Sequence, residues 1–401
     1  MNKNNRTSNG RTHMRHIRNR SALLAAISAI AVTTAAPAFA EEIIIGAATA
    51  QTGGLAPYDQ PALAGLRMAI DELNAKGGLA GKYKVNLIIK DTRSDTAQTA
   101  TVTQELIDAG AKIMITPCDA DPSISAGQLT QPLGIPSLTL CGSAPVLTQA
   151  VGDVMFGTYP ADNLQATAVA DFAIAEGKRK VFLLTSPDAT YVANLPEYFG
   201  KVFEKKGGKI VGRGTFTMNQ PDFSAEITNI KGLAEQPDLI MTAAYEPDFP
   251  AFIQQLRGAG INIPVYGADA IGTPTIKALG KLVDGVVYTA AGYPEAGSKL
   301  EAFNAAFTKH AGHAPESTYE VNGYEIGLIL DQAVKTAGSD DPKAIRDAIA
   351  NLKDFEGITG KITYAGTDRM PLRPVVLMRY EGGEPKYVET VVPAAADVPA
   401  P

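Results

Sequence analysis

The sequence predicts an α/β protein of two lobes, each built on a parallel central sheet. Three observations carry that expectation. Short runs rich in Ile, Val and Leu alternate with helix-length segments from residue 43 onward, as right-handed βαβ units require. The runs are apolar on consecutive positions, the mark of parallel strands buried on both faces. The alternation comes in two sets that divide near Pro160, in a chain too long for a single core.

The chain opens on a segment outside both lobes. Lys3, Arg6, Arg11, Arg15, Arg18 and Arg20 form a basic leader without an acid, followed by the uncharged run 21–35 and Ala38-Phe39-Ala40. This is the pattern of a secretory signal peptide (residues 1–40) cleaved after Ala40, with Met14 as an alternative start that leaves the mature protein unchanged. The apolar run is shorter than the roughly 20 residues of a bilayer span, which disfavours an amino-terminal anchor. No cysteine follows the cleavage point, which disfavours a lipid anchor. A soluble periplasmic protein is expected.

In the first set, 43–49, 83–90, 112–116 and 137–140 read as strands. Leu63, Leu66, Ile70 and Leu73 recur at helical spacing between the first two, and Gly77-Gly78 ends that helix. In the second set, helices at about 162–176, 191–206, 222–235 and 246–260 separate strands at 180–185, 209–216, 238–243 and 264–267, and 284–290 adds another strand. Residues 297–353 are mainly helical, with a capping signal at Ser339-Asp340-Asp341-Pro342. Three strand-like pieces follow at 360–365, 374–380 and 386–392. The tail 393–401, rich in Pro and Ala, is expected to be disordered.

Composition narrows the function. Six of the 36 basic residues lie in the leader, so 30 Lys and Arg stand against 42 Asp and Glu in the mature chain. A net charge of about −12 excludes nonspecific binding to nucleic acid or to an anionic membrane. Residues 124–152 carry no charge, but Pro132, Pro136 and Pro145 interrupt them, so they are no membrane span. Only His310 and His313 survive processing, which weighs against His-based catalysis and a His-rich metal site; both read as loop residues. No Gly-Lys pair is followed by Ser or Thr, Gly46 to Gly54 lacks the dinucleotide fingerprint, and Gly142-Ser143-Ala144-Pro145 is no nucleophile elbow. No catalytic residue, metal or cofactor is expected.

Thr52-Gly-Gly-Leu-Ala-Pro-Tyr58 leads into a helix that ends at Asn74-Ala-Lys-Gly-Gly-Leu-Ala-Gly81. Ile135-Pro-Ser-Leu138, Pro145-Val-Leu-Thr148, Asp222-Phe-Ser224 and Tyr245-x-Pro247 with Gln255-Leu-Arg-x-x-Gly260 follow. In order and spacing these stretches resemble the periplasmic leucine/isoleucine/valine-binding proteins, over about residues 43 to 390. The resemblance implies a type I periplasmic binding protein: two Rossmann-like lobes joined by three hinge crossings, which deliver a small-molecule solute to an ABC permease in the inner membrane. Lobe 1 would comprise 43–159 and 291–367, and lobe 2 would comprise 160–290 and 368–392. A monomer is expected.

On the same resemblance the ligand lies between the lobes. The implied contacts are Tyr58, Asp119, Cys141, Gly142 and Ser143 from lobe 1, Tyr191, Glu246 and Asp269 from lobe 2, and Tyr319 from the late helical region. Relatives place a hydroxyl where Asp119 stands and often an aromatic where Glu246 stands. Facing carboxylates cost several kcal/mol unless a proton or a cation intervenes. Three acids with three tyrosines therefore imply an amine-bearing or polyhydroxylated ligand rather than leucine, held in part by cation–π contact or ring stacking.

Structural roles compete at several positions. Asp121-Pro122 reads as an N-cap followed by Pro at the first helical position, Ser143 as a cap for a helix beginning near Pro145, and Glu246 as a cap for the helix after Pro247. Asp119 has the alternative of a solvated loop acid, and the tyrosines that of ordinary packing. Cys118 and Cys141 end strands that this fold would set side by side, about 4.8 Å apart, so a disulfide between them is expected. Many relatives instead pair the first of these cysteines with one after the second strand, where this chain reads Asp91-Thr-Arg-Ser-Asp95. The alternative functions are a ligand-presenting sensor for a membrane receptor and a glycosidase using Asp119 with Glu246.

Overall fold

The computed structural model describes residues 41–401; the leader and its cleavage point lie outside the described residues. Strands β1 (Glu41–Thr49), β2 (Tyr83–Asp91), β3 (Ile113–Thr116), β4 (Ser137–Thr139) and β5 (Met155–Phe156) form one sheet in the order β2-β1-β3-β4-β5, every pair parallel. Helices α1 (Ala56–Ala75), α2 (Thr96–Asp108), α3 (Ala120–Thr130) and α4 (Val146–Val151) connect them. Ile113, Met114 and Ile115 are all buried, as consecutive apolar residues of a strand covered on both faces must be.

The second sheet follows the same grammar. Its connected elements are α5 (Asp162–Ala175), β6 (Lys180–Thr185), α6 (Thr190–Lys205), β7 (Lys209–Thr215), α7 (Ser224–Lys231), β8 (Leu239–Thr242), α8 (Asp248–Gly258), β9 (Val265–Tyr266), α9 (Pro274–Lys277) and β10 (Val287–Ala290). Three helices, α10 (Lys299–Ala311), α11 (Tyr319–Ala337) and α12 (Pro342–Ala350), then return to the first half, where α11 packs along α1. That approach needs two glycines. A Cβ on Gly65 would lie 1.7 Å from the Glu320 carbonyl oxygen, and one on Gly323 would lie 1.7 Å from that of Ala62.

Of the three terminal strand-like pieces, the first shrinks to a two-residue hairpin of β11 (Phe355–Glu356) and β12 (Lys361–Ile362). The others, β13 (Val375–Glu381) and β14 (Glu384–Val391), complete the second sheet in the order β14-β13-β10-β9-β8-β6-β7. They run antiparallel, β13 to β10 and β14 to β13, so the second sheet is parallel only from β10 to β7. Gly382 and Gly383, at φ 63° and 80°, make the two-residue turn between them, a backbone that glycine adopts without strain.

The chain passes between the sheets three times: β5 to α5, β10 to α10 and β12 to β13. Arg373, in the third crossing, is buried and paired with buried Glu325 of α11 at 2.5 Å. It also donates to the carbonyl of Thr158 in the first crossing at 2.7 Å and to Asn322 Oδ1 at 2.9 Å. One guanidinium thus ties two crossings to α11, with its charge matched as a buried ion requires.

The tail departs from the expected disorder. Val398 packs on a cluster of Ala161, Leu164, Ala168, Met370 and Val375, Asn163 Nδ2 donates to the Pro399 carbonyl at 2.9 Å, and Asp397 pairs with Lys205 at 3.0 Å. Composition describes the segment alone, and its docking depends on a patch assembled from distant residues.

Candidate functional site

The carboxyl ends of β3 and β4 build one wall of a cavity. Cys118 and Cys141 leave these strands with Cα atoms 4.4 Å apart and are joined by the expected disulfide. Asp59, in the first turn of α1 and fully buried, holds this shelf in place. Its carboxylate accepts the amide of Ala50 at 2.6 Å and that of Cys118 at 2.8 Å, tying the end of β1 to the start of the ligand shelf. Burial pushes Asp59 up to about 7, against the pull of those two amides.

The cavity is lined by Leu55, Tyr58, Asp119, Ser143, Tyr191, Tyr245, Asp269 and Tyr319, with both half-cystines and three alanines. Its volume is about 40 Å³. At roughly 10–15 Å³ for one water on that measure, this is room for about three waters. Tyr58 meets Tyr245 and Tyr319 edge-on, both at 5.9 Å between ring centres, and Tyr191 lies 6.3 Å from Tyr245. Tyr191 donates to Asp269 Oδ1 at 3.1 Å and Tyr319 to Oδ2 at 3.2 Å. Asp269 opens a short turn at Asp269–Ile271 beyond β9, which aims it back at the first sheet.

Electrostatics follow from burial. Asp269 is pushed up to about 6 by desolvation, opposed by hydrogen bonds that include those from Tyr191 and Tyr319. Asp119 also rises to about 6, through burial and then the neighbouring Asp121. Burial holds the phenols of Tyr58, Tyr191 and Tyr319 well above their ordinary range, so they remain neutral. Among the described residues lining the cavity none is basic. The wall therefore presents two carboxyls, four phenols and one serine hydroxyl, and no compensating cation.

Seven of the nine residues expected at the site line this cavity: Tyr58, Asp119, Cys141, Ser143, Tyr191, Asp269 and Tyr319. Gly142 and Glu246 do not. Gly142 turns onto Thr139, whose Oγ1 accepts its amide at 2.8 Å, and a Cβ there would fall 2.7 Å from Thr139 Cγ2. Glu246 accepts the hydroxyl of Thr273 and faces the outer mouth of the cleft; its amide donates to Tyr58 Oη at 3.0 Å. The residue before it, Tyr245, lines the cavity.

Three structural readings also change. Asp119, not Asp121, caps α3, by accepting the Asp121 amide at 3.1 Å. Helix α4 begins at Val146 with no side-chain cap, so Ser143 does not cap it. Helix α8 likewise receives no cap from Glu246. Beside the site lie the buried acids Asp59 and Asp162, which the sequence does not single out; the amide of Asp162, at the start of α5, donates to the Ser143 carbonyl at 2.9 Å. Burial raises the Asp162 carboxyl well above the usual carboxylate range.

Residues 42–384 match the profile of the family described as periplasmic binding protein. The chain is 25% identical over 351 residues to the Leu/Ile/Val-binding protein BraC3 of Rhizobium johnstonii, covering 87% of this chain and 94% of that one. Its fold is similar to the branched-chain amino acid transporter substrate binding protein LivJ of Streptococcus pneumoniae in complex with isoleucine, with a TM-score of 0.79, 26% identity and coverage of 88% and 100%. It is also similar in fold to an ABC transporter solute binding protein of R. palustris in complex with benzoate, at a TM-score of 0.78 and 21% identity, over 88% of this chain and 97% of that one.

Proposed function

The chain belongs to the periplasmic binding protein family; from that premise we propose that it is the solute-binding component of a branched-chain-amino-acid-type ABC transporter. It closes two lobes over a small amino-acid-like, amine-bearing or polyhydroxylated solute and hands it, unchanged, to a permease of the inner membrane. The observation that carries this reading is the wall chemistry: Asp119 and Asp269 face one cavity with four phenols and no basic side chain. A guest ammonium would neutralise the carboxylates and lie against tyrosine faces, while a polyol would hydrogen-bond the same groups. Relatives of one fold hold isoleucine and benzoate, so the ligand is argued from the wall and not from the scaffold.

The proposed contacts are Tyr58, Asp119, Cys141, Ser143, Tyr191, Tyr245, Asp269 and Tyr319. The glycosidase reading draws no support from the site, because Glu246 gives its carboxylate to Thr273 and not to the cavity opposite Asp119. Export to the periplasm and a monomeric state complete the proposal. Among the described residues no helix is long and apolar enough to cross a membrane.

Thermal-shift screening of the mature protein against amino acids, amines, polyols and aromatic acids tests the reading. A true ligand at 100 times its Kd raises stability by about 2.7 kcal/mol. Stabilisation by aliphatic amino acids, with none by amines or polyols, would refute the proposed solute class.

A further inference from the structure

Asp121, the acid in the first turn of α3, does not line the ligand cavity. Its carboxylate reaches from the first turn of α3 to the start of α6, where Oδ1 accepts Thr190 Oγ1 at 2.6 Å and Oδ2 accepts the Thr190 amide at 3.1 Å. Helix α6, 16 residues long, has no side-chain cap of its own, because Ala189 stands at its N-cap. The Thr190 amide is one of the donors that a helix leaves unpaired at its start, and a carboxylate there also meets the positive end of the helix dipole. Helix α3 belongs to the first sheet and α6 to the second. The cap therefore exists only while the two halves are together.

Other hydrogen bonds across the cleft run from Tyr58 to the Ala270 carbonyl, from the Glu246 amide to Tyr58 and from Tyr319 to Asp269. Each involves a residue that lines the ligand cavity, so a guest can disturb it. The contact between Asp121 and Thr190 lies outside that cavity. Asp121 sits instead at the outer mouth, in a pocket it lines with Asp119, Asp188 and Glu246.

We propose that Asp121 is a closure residue: by capping α6 across the cleft it stabilises the closed arrangement independently of the solute, whichever solute that is. The apparent affinity for a solute scales with the fraction of protein already able to close, so this residue tunes binding without touching the ligand.

The test needs no ligand. Spin labels at exposed positions 97 on α2 and 204 on α6 report the distance between the halves in the ligand-free mature protein by double electron–electron resonance; Cys118 and Cys141, being bridged, do not label. Asp121→Ala is expected to lower the closed-to-open ratio roughly fivefold, the equivalent of one lost helix cap. Thr190→Val should lower it less, and the double variant should lower it no further than Asp121→Ala, since both residues serve one contact. Asp121→Asn keeps an acceptor oxygen and should fall between. A parent protein with no closed population, an Asp121→Ala distribution identical to the parent's, or additive effects in the double variant would each overturn the proposal. Melting temperatures close to the parent's establish that the variants are folded.

Discussion

Tyr319 donates its phenol to Asp269 Oδ2 at 3.2 Å, joining the first turn of α11, packed on the first half, to a turn that follows β9 in the second. Tyr191 takes the other carboxylate oxygen. The acid is thus held by two neutral donors and no cation, an arrangement that leaves its charge for a guest to answer.

That arrangement sets a pH dependence. Asp119 and Asp269 move from an ordinary 3.8 to about 6 on folding, so the folded state binds protons more tightly than the unfolded chain. Their contribution is fully present below about pH 4 and is lost as the pH rises through 6. The melting temperature of the ligand-free protein, followed by calorimetry from pH 7.5 to 5, should therefore rise more in the parent than in Asp269→Asn. Parallel curves for the two would show that Asp269 is not a strained acid.

Asp59 supports the ligand shelf from behind. Asp59→Ala leaves the buried amide of Ala50 and the half-buried amide of Cys118 without their acceptor, at roughly 1–3 kcal/mol for the buried one and less for the other. A lower urea midpoint with an unchanged m-value is expected. An unaltered midpoint would mean that water replaces the carboxylate freely.

The disulfide closes a loop of 23 residues' separation between two half-cystines that line the cavity. Replacing both with serine should lower the unfolding free energy by about 3 kcal/mol. Denaturant titration measures it; a loss under about 1 kcal/mol would mean that the shelf is held by packing and Asp59 alone.

Gly323→Ala should be among the most damaging single substitutions, because its Cβ would lie 1.7 Å from the Ala62 carbonyl oxygen. Separating α1 from α11 to relieve that overlap is expected to cost more than about 3 kcal/mol. Thermal unfolding of the variant at near-parental stability would show that the two helices can slide apart.

Much of this architecture is legible in the residues because parallel strands leave a strong trace. The buried runs 113–115 and 181–184 are apolar throughout, and their order fixes which loops face the cleft. Strand β5 has two residues, too few for any period to register. The antiparallel course of β13 and β14 depends on where the chain re-enters the sheet, which periodicity does not record. Asp119, Asp269 and the tyrosines Tyr58, Tyr191 and Tyr319 line one cavity, and the order of the elements brings them together. Tyr245 lines the cavity while its neighbour Glu246 faces the mouth, a difference of one residue that strand and helix periods do not register at a loop. Asp59 and Asp121 are illegible for another reason: their partners lie 59 and 69 residues away and meet them only after folding.

The proposed guest carries a group able to neutralise or hydrogen-bond the carboxyls of Asp119 and Asp269. Isothermal titration of the mature protein at pH 7.5 with size-matched probes tests it most directly: 3-methylbutylamine as the cation, erythritol as the polyol, 3-methylbutanoate as the anion and leucine as the zwitterion. Heat of binding from the amine or the polyol, with none from the anion and weaker binding of leucine, is the expected result. Tight binding of the carboxylate or of leucine, with none of the amine or polyol, would contradict it.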